Sequence, residues 1–82
     1  MPLQPALLAI GQLAAESGEP VKTLRYWTDL GLLPPERAES GYRRYPADSA
    51  ERVQFIRSAQ RVGFRLGGIA RILSVRSDGL QP

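Results

Sequence analysis

Glycine and proline divide this chain into short segments, and this division limits the folds that it can adopt. Gly18 separates two stretches of helical periodicity, Pro34 and Pro35 interrupt the chain after the second, and Gly63 separates the last two. Proline removes a helical hydrogen bond, and glycine permits the backbone turns at which helices end. The pattern therefore predicts several short helices that share one core.

Length and composition restrict the function. The chain has 82 residues, enough for one small domain, and it contains no cysteine and no histidine. Thiolate zinc sites, disulfides and Ser-His-Asp triads are therefore excluded, and the carboxylates form no recognisable acid/base pair. We expect a protein that is not an enzyme and that uses no metal and no cofactor.

The basic residues are mostly arginines, and they are unevenly distributed. Eleven Lys and Arg against eight Asp and Glu give a net charge of +3, and residues 52–76 contain six arginines and no carboxylate. Because a guanidinium suits phosphate oxygens, a basic face indicates nucleic acid or an anionic membrane. No apolar run approaches the ~20 residues of a membrane span, and the N-terminus lacks a charged signal-peptide start. We expect a cytoplasmic protein without membrane contact.

The first two helical segments are typical of a helix-turn-helix. The first begins near Leu8 and ends at Gly18, and the second begins at Pro20 and ends at Gly31. A joint of about three residues that contains glycine is what this motif requires. The residues expected on the inner faces are Ile10, Leu13 and Ala14 in the first helix and Val21, Leu24 and Thr28 in the second.

A β-hairpin wing is predicted after the second helix. One strand lies near Glu36 to Ala38, the turn covers residues 39–41, and the second strand runs from Tyr42 to Tyr45. Gly41 would supply the positive φ that such a turn requires.

Two further helices complete the prediction, which is a mainly α, winged helix-turn-helix fold. We expect residues 1–7 to form a flexible arm, 8–77 the winged helix-turn-helix domain, and 78–82 a tail. The inward residues are predicted to be Val53, Phe55, Ile56, Ala59 and Val62 in the third helix and Leu66, Ile69, Ile72 and Leu73 in the fourth. Two hypotheses stay open for Arg57 and Arg61: they face phosphate, or they keep the helix soluble.

These motifs together resemble the DNA-binding domain of the MerR family of transcription regulators. The resemblance covers roughly residues 8–77, and "FIRSAQRVGF" (residues 55–64) is most similar to the heavy-metal-responsive branch. The segments that carry it are Ile10 to Ala14, Thr23 to Trp27, Gly31 to Leu33, Gly41 to Tyr45, and Gly63-Phe64.

The resemblance implies sequence-specific binding to promoter DNA. Members of the family act as dimers and distort the promoter for RNA polymerase, and dimerisation of this protein would need a C-terminal helix beyond Pro82. Arg25 can pair with phosphate or guanine, and of the wing arginines we favour Arg43 as the one that faces DNA. The expected DNA-binding residues are Lys22, Thr23, Arg25, Tyr26, Gly41, Tyr42, Arg43, Arg44 and Arg65.

This sequence departs from the family pattern at two places. Trp27 stands where the family mostly has Tyr or Phe, and we expect it to anchor the wing rather than to contact DNA. Arg65 replaces a helix-capping Ser or Thr, and Gly67 and Gly68 follow it. In a helix interior each glycine costs ~1 kcal/mol relative to alanine, so we expect a less stable fourth helix.

Two alternative functions remain compatible with the sequence. One is an excisionase-like protein that bends DNA for recombination. The other is a winged-helix module whose arginines bind an acidic protein partner.

Overall fold

The fold is a helix-turn-helix followed by a short hairpin and two more helices, as predicted. The computed structural model describes residues 7–37 and 43–79. Its elements, in chain order, are α1 (Ile10–Ser17), α2 (Val21–Asp29), β1 (Glu36–Arg37), β2 (Arg43–Arg44), α3 (Ser49–Arg61) and α4 (Leu66–Gly79). In the part of the chain that is described, no helix is long and apolar enough to cross a membrane.

Gly18 makes the tight turn between α1 and α2. It has φ 77°, in the left-handed region, and its N–H donates to the carbonyl of Ala14 at 2.9 Å. Pro20 then sets φ at −64° immediately before α2 begins. The three residues from Gly18 to Pro20 thus form the short joint that the sequence predicted.

The hairpin is anchored at its base to the N-terminal segment. In the antiparallel pair, Glu36 lies opposite Arg44 and Arg37 opposite Arg43. Next to this pair, the Leu8 N–H donates to the Tyr45 carbonyl at 2.7 Å, and the Tyr45 N–H donates to the Leu8 carbonyl at 2.8 Å. The predicted turn at residues 39–41, and residues 1–6 of the predicted arm, lie outside the described residues.

Helix α1 packs against both α2 and α3, and α3 packs against α4. Every helix contributes to the core, as does the segment that flanks the wing. The buried apolar side chains are Leu8, Leu13, Leu24, Trp27, Leu32, Leu33, Tyr45, Val53, Ile56, Ala59, Ile69 and Leu73.

The prediction for the inward residues of α3 and α4 was wrong in detail. Val62, expected in the core, is 75% exposed, because α3 ends at Arg61 and Val62 lies in the following turn. Phe55 and Leu66 are only partly buried and pack at the edge of the core. Helix α4 ends at Gly79, the glycine at which the sequence pattern stops.

The glycine pair of α4 lies in the first helical turn rather than in the interior. Leu66 is the first residue of the helix, so Gly67 and Gly68 are its second and third. Apart from its chain neighbours and the adjacent backbone of α4, a Cβ atom built at either glycine meets no atom within 4 Å. The glycines therefore make no close packing contact that an alanine would disrupt.

We predict that Gly68→Ala stabilises the domain. The substitution reduces the conformational entropy of the unfolded chain, which is worth ~0.4–1 kcal/mol, or a rise of about 2–8 °C in melting temperature. Thermal unfolding followed by circular dichroism measures the change. Gly18→Ala is the matched control: its site is equally open, but φ is +77°, so that variant should melt lower. A lower melting temperature for Gly68→Ala would contradict the prediction.

Candidate nucleic-acid interface

One face of α2 carries three of the side chains that the sequence assigned to DNA, together with Asp29. Lys22, Arg25, Tyr26 and Asp29 follow the helical spacing i, i+3, i+4 and i+7, and all four are exposed. Tyr26 is an aromatic residue with 55% of its surface exposed. Thr23, also expected at the DNA, is half-buried beside this stripe. We call the four exposed residues Lys22, Arg25, Tyr26 and Asp29 the outward stripe of α2.

The wing places Arg43 beside the outward stripe. Arg43, Arg25 and Asp29 line one shallow depression of about 310 Å³, together with Ile10 and Tyr45. The structure thus brings together Arg25 and Arg43, the two arginines that the sequence analysis considered most important.

The second wing arginine points differently. Arg44 is half-buried, and its Nη1 donates to the Arg43 carbonyl at 3.3 Å, whereas Arg43 is exposed. This difference agrees with the alternation of neighbouring side chains along a strand. Arg65 is exposed at the start of α4, and the described lining of the depression does not include it. Gly41 and Tyr42 lie outside the described residues.

Tyr45 fixes the wing relative to α2. Its ring is buried, and its hydroxyl lies 2.7 Å from Thr28 Oγ1 on α2. Thr28 already donates its one hydroxyl proton to the Leu24 carbonyl at 2.7 Å, so Tyr45 is the donor in the hydroxyl pair. Sequence reasoning did not assign this role to Tyr45; a tyrosine directly after the wing strand was the available signal.

Trp27 is a core residue, as expected, but its polar contact is with α3. The side chain is 2% exposed, and the Arg57 guanidinium carbon lies 4.9 Å from its ring centroid. A cation over an indole face at this distance is attracted by the ring quadrupole. That Trp27 anchors the wing stays a prediction, and the Tyr45 hydroxyl and backbone also hold the wing in place.

Arg57 also holds Glu19, which lies two positions before the first residue of α2. Its Nε and Nη2 donate to the two carboxylate oxygens of Glu19, each at 2.7 Å, and its Nη1 donates to Gln60 at 2.8 Å. The Glu19 side chain is only 14% exposed, and that of Arg57 is 39% exposed. Such a bidentate pair fixes the geometry of both partners.

The pair shifts both pKa values in the directions that favour the charged forms. The hydrogen bonds from Arg57, assisted by its charge, lower the pKa of Glu19, although burial acts in the opposite sense. The hydrogen bonds to Glu19 raise the pKa of Arg57. Both groups are therefore ionised at neutral pH.

Arg52 holds the other end of α2. Its Nε donates to the Leu32 carbonyl at 2.6 Å, just after the helix ends. Two arginines of α3 thus contact the chain on either side of α2, two positions before it begins and three positions after it ends. For Arg57, neither hypothesis from the sequence was right: the side chain neither is free to face phosphate nor only keeps a helix soluble. Arg61 is exposed, and both hypotheses stay open for it.

A helix-turn-helix with an exposed cationic stripe, followed directly by a wing that brings an arginine beside it, defines a winged helix-turn-helix domain of the DNA-binding class. The family described as "MerR HTH family regulatory protein" matches residues 8–75. The chain therefore belongs to the MerR family.

Individual relatives agree with this assignment. The mercuric resistance operon regulatory protein of Bacillus cereus is 45% identical over 67 residues, which cover 80% of this chain and 51% of the relative. The transcriptional regulator HmrR of Rhizobium leguminosarum bv. viciae is 36% identical over 69 residues, or 84% of this chain and 54% of the relative. The chain spans about half the length of these relatives, both of which are regulators.

Solved structures share the fold. The crystal structure of HiNmlR, a MerR family regulator that lacks the sensor domain and is bound to promoter DNA, superposes with a TM-score of 0.77 at 25% identity. The match covers 87% of this chain and 57% of that one.

We predict that Glu19→Gln destabilises the domain at pH 7 but much less in acid. A depressed carboxyl pKa stabilises the folded state above the ordinary glutamate value near 4.5, and this contribution is lost as the pH falls below it. After allowance for solvent screening of the part-exposed guanidinium, the loss at pH 7 is ~1 kcal/mol. Urea unfolding at pH 7 and at acidic pH measures the difference.

The exposed Glu16→Gln, on α1, is the control for removal of one negative charge. It should change stability by less than ~0.5 kcal/mol. A Glu19→Gln deficit that is the same at both pH values would contradict the prediction.

Proposed function

We propose that this chain is the promoter-recognition domain of a MerR-type transcription regulator. It binds double-stranded DNA sequence-specifically, with the outward stripe of α2 in the major groove and the wing along the adjacent phosphate backbone. The observation that supports this most directly is the shared depression, in which Arg25 of α2 and Arg43 of the wing lie on one surface.

Different parts of the interface have different tasks. Lys22 and Arg25 offer cations from the outward stripe, and Tyr26 offers a hydroxyl to a phosphate. Arg25 can instead pair with guanine O6 and N7. Arg43 contacts the backbone from the wing. Main-chain N–H groups near Gly41 and Tyr42, and the side chains of Thr23, Arg44 and Arg65, complete the proposed set.

The wider activity follows the family resemblance. We take residues 8–77 as the DNA-binding domain of a protein that works in the bacterial cytoplasm and has no catalytic activity. As a dimer, held by a C-terminal helix beyond this domain, the regulator distorts promoter DNA for RNA polymerase. The relative that lacks a sensor domain, and whose structure contains promoter DNA, supports DNA binding without a sensing module.

The test is titration of the chain with an inverted-repeat duplex, followed by fluorescence anisotropy at several salt concentrations. Each phosphate that a cation neutralises should contribute about −0.9 to the slope of log K against log salt. We predict that Arg25→Ala and Arg43→Ala each weaken binding about tenfold and make the slope less steep by roughly one unit. Arg71→Ala, at an exposed arginine of α4 outside the proposed set, is the control and should leave both quantities unchanged.

A slope indistinguishable from zero would refute the proposal. Strong bending of any duplex in a gel assay would favour the excisionase-like alternative. Retention of an acidic protein partner after nuclease treatment, without duplex binding, would favour the protein-interaction module.

A further inference from the structure

The outward stripe of α2 ends in a carboxylate. Asp29 is four residues after Arg25 and seven after Lys22, so it shares their face, and its side chain is 71% exposed. A negative charge on a surface that approaches phosphates opposes binding. Its position therefore needs a reason beyond keeping the helix hydrated.

Asp29 faces the wing arginine. Its Oδ1 lies 4.0 Å from Arg43 Nη1, and the Arg43 side chain is 52% exposed. Both side chains line two shallow depressions, one shared with Arg25 and the other with Thr28 and Pro35. The ion pair thus joins the end of α2 to the wing.

The pair changes what Arg43 can offer to DNA. The carboxylate of Asp29 partly neutralises the charge of Arg43 within the protein. Binding to an arbitrary duplex depends almost entirely on cations that displace counterions from the DNA. The whole loss of cationic charge at Arg43 therefore appears as a loss of affinity for such a duplex. At a matching site, contacts between α2 and the bases fix the position of the wing, and Asp29 can keep the guanidinium oriented while it reaches a phosphate.

We propose that Asp29 is a specificity-determining residue that acts through Arg43. It suppresses binding to arbitrary DNA more than binding to the target sequence. This inference rests on the proposed DNA-binding function, and it assigns a role to a residue outside the proposed set of contacts.

The test compares two duplexes of equal length and composition. One is selected by the unaltered chain from a random-sequence pool, and the other is a scrambled version of it. Asp29→Asn keeps the side-chain shape and removes the charge. We expect it to raise affinity for the scrambled duplex about two- to fivefold, the range of an exposed ion pair, and to change affinity for the selected duplex less than twofold. On the scrambled duplex its salt slope should be steeper by about 0.9.

Two controls isolate the mechanism. Glu16→Gln removes the same charge from α1 and should leave the ratio of the two affinities unchanged. In an Arg43→Ala background, Asp29→Asn should have no effect on that ratio, because the partner through which it acts is gone.

The outcomes separate this inference from the proposed function. If the unaltered chain selects no duplex, the proposed function fails and the role of Asp29 with it. If the chain binds selectively but Asp29→Asn strengthens both duplexes equally, or still acts when Arg43 is alanine, only the specificity role of Asp29 is overturned.

Discussion

The contact between Arg57 of α3 and the start of α2 sets the orientation of the surface described above. The Arg57 guanidinium donates to both carboxylate oxygens of Glu19, just before α2, and lies over the buried ring of Trp27, within α2. The same side chain therefore holds the helix at two points. Arg52 contacts the carbonyl of Leu32 just beyond the other end. A helix of nine residues is marginal in isolation, so its position depends on such contacts with the rest of the domain. The outward stripe points where it does because the opposite face of α2 is held by α1 and α3.

The wing depends on α2 in turn. Tyr45 is buried, donates its hydroxyl to Thr28, and pairs by its backbone with Leu8. A two-stranded hairpin with two paired residues on each strand has little stability of its own. Because the wing is fastened to the same helix that carries the outward stripe, Arg43 and Arg25 share one depression instead of lying on independently moving parts.

The sequence predicted the helices and turns well because the signals for them lie within a few neighbouring residues. Glycine and proline marked the turn at Gly18 and the break after α2, and helical periodicity identified Leu13, Leu24 and Ile69 as core residues. The size of Trp27 was enough to predict its burial. No periodicity could pair Glu19 with Arg57, because the two residues are 38 positions apart and each is an ordinary charged residue in its own segment. Asp29 was different, since its spacing from Arg25 placed it on the outward stripe and only its proximity to the wing required the structure.

The charge of a basic segment is therefore a poor measure of the surface that it offers to a polyanion. Residues 52–76 contain six arginines without a carboxylate, which suggested a basic face for nucleic acid or an anionic membrane. Within it, Arg57 is committed to Glu19, and Arg52 donates to a backbone carbonyl. A guanidinium that donates to acceptors within the protein would have to break those hydrogen bonds before it could bind phosphate. The acceptors left behind would then need other donors. The two arginines at the depression between α2 and the wing, Arg25 and Arg43, lie outside this segment, and Arg43 faces Asp29. A weaker but better ordered cationic surface favours discrimination between DNA sequences over binding to any phosphate backbone, because arbitrary DNA rewards free charge whereas a target site also rewards position.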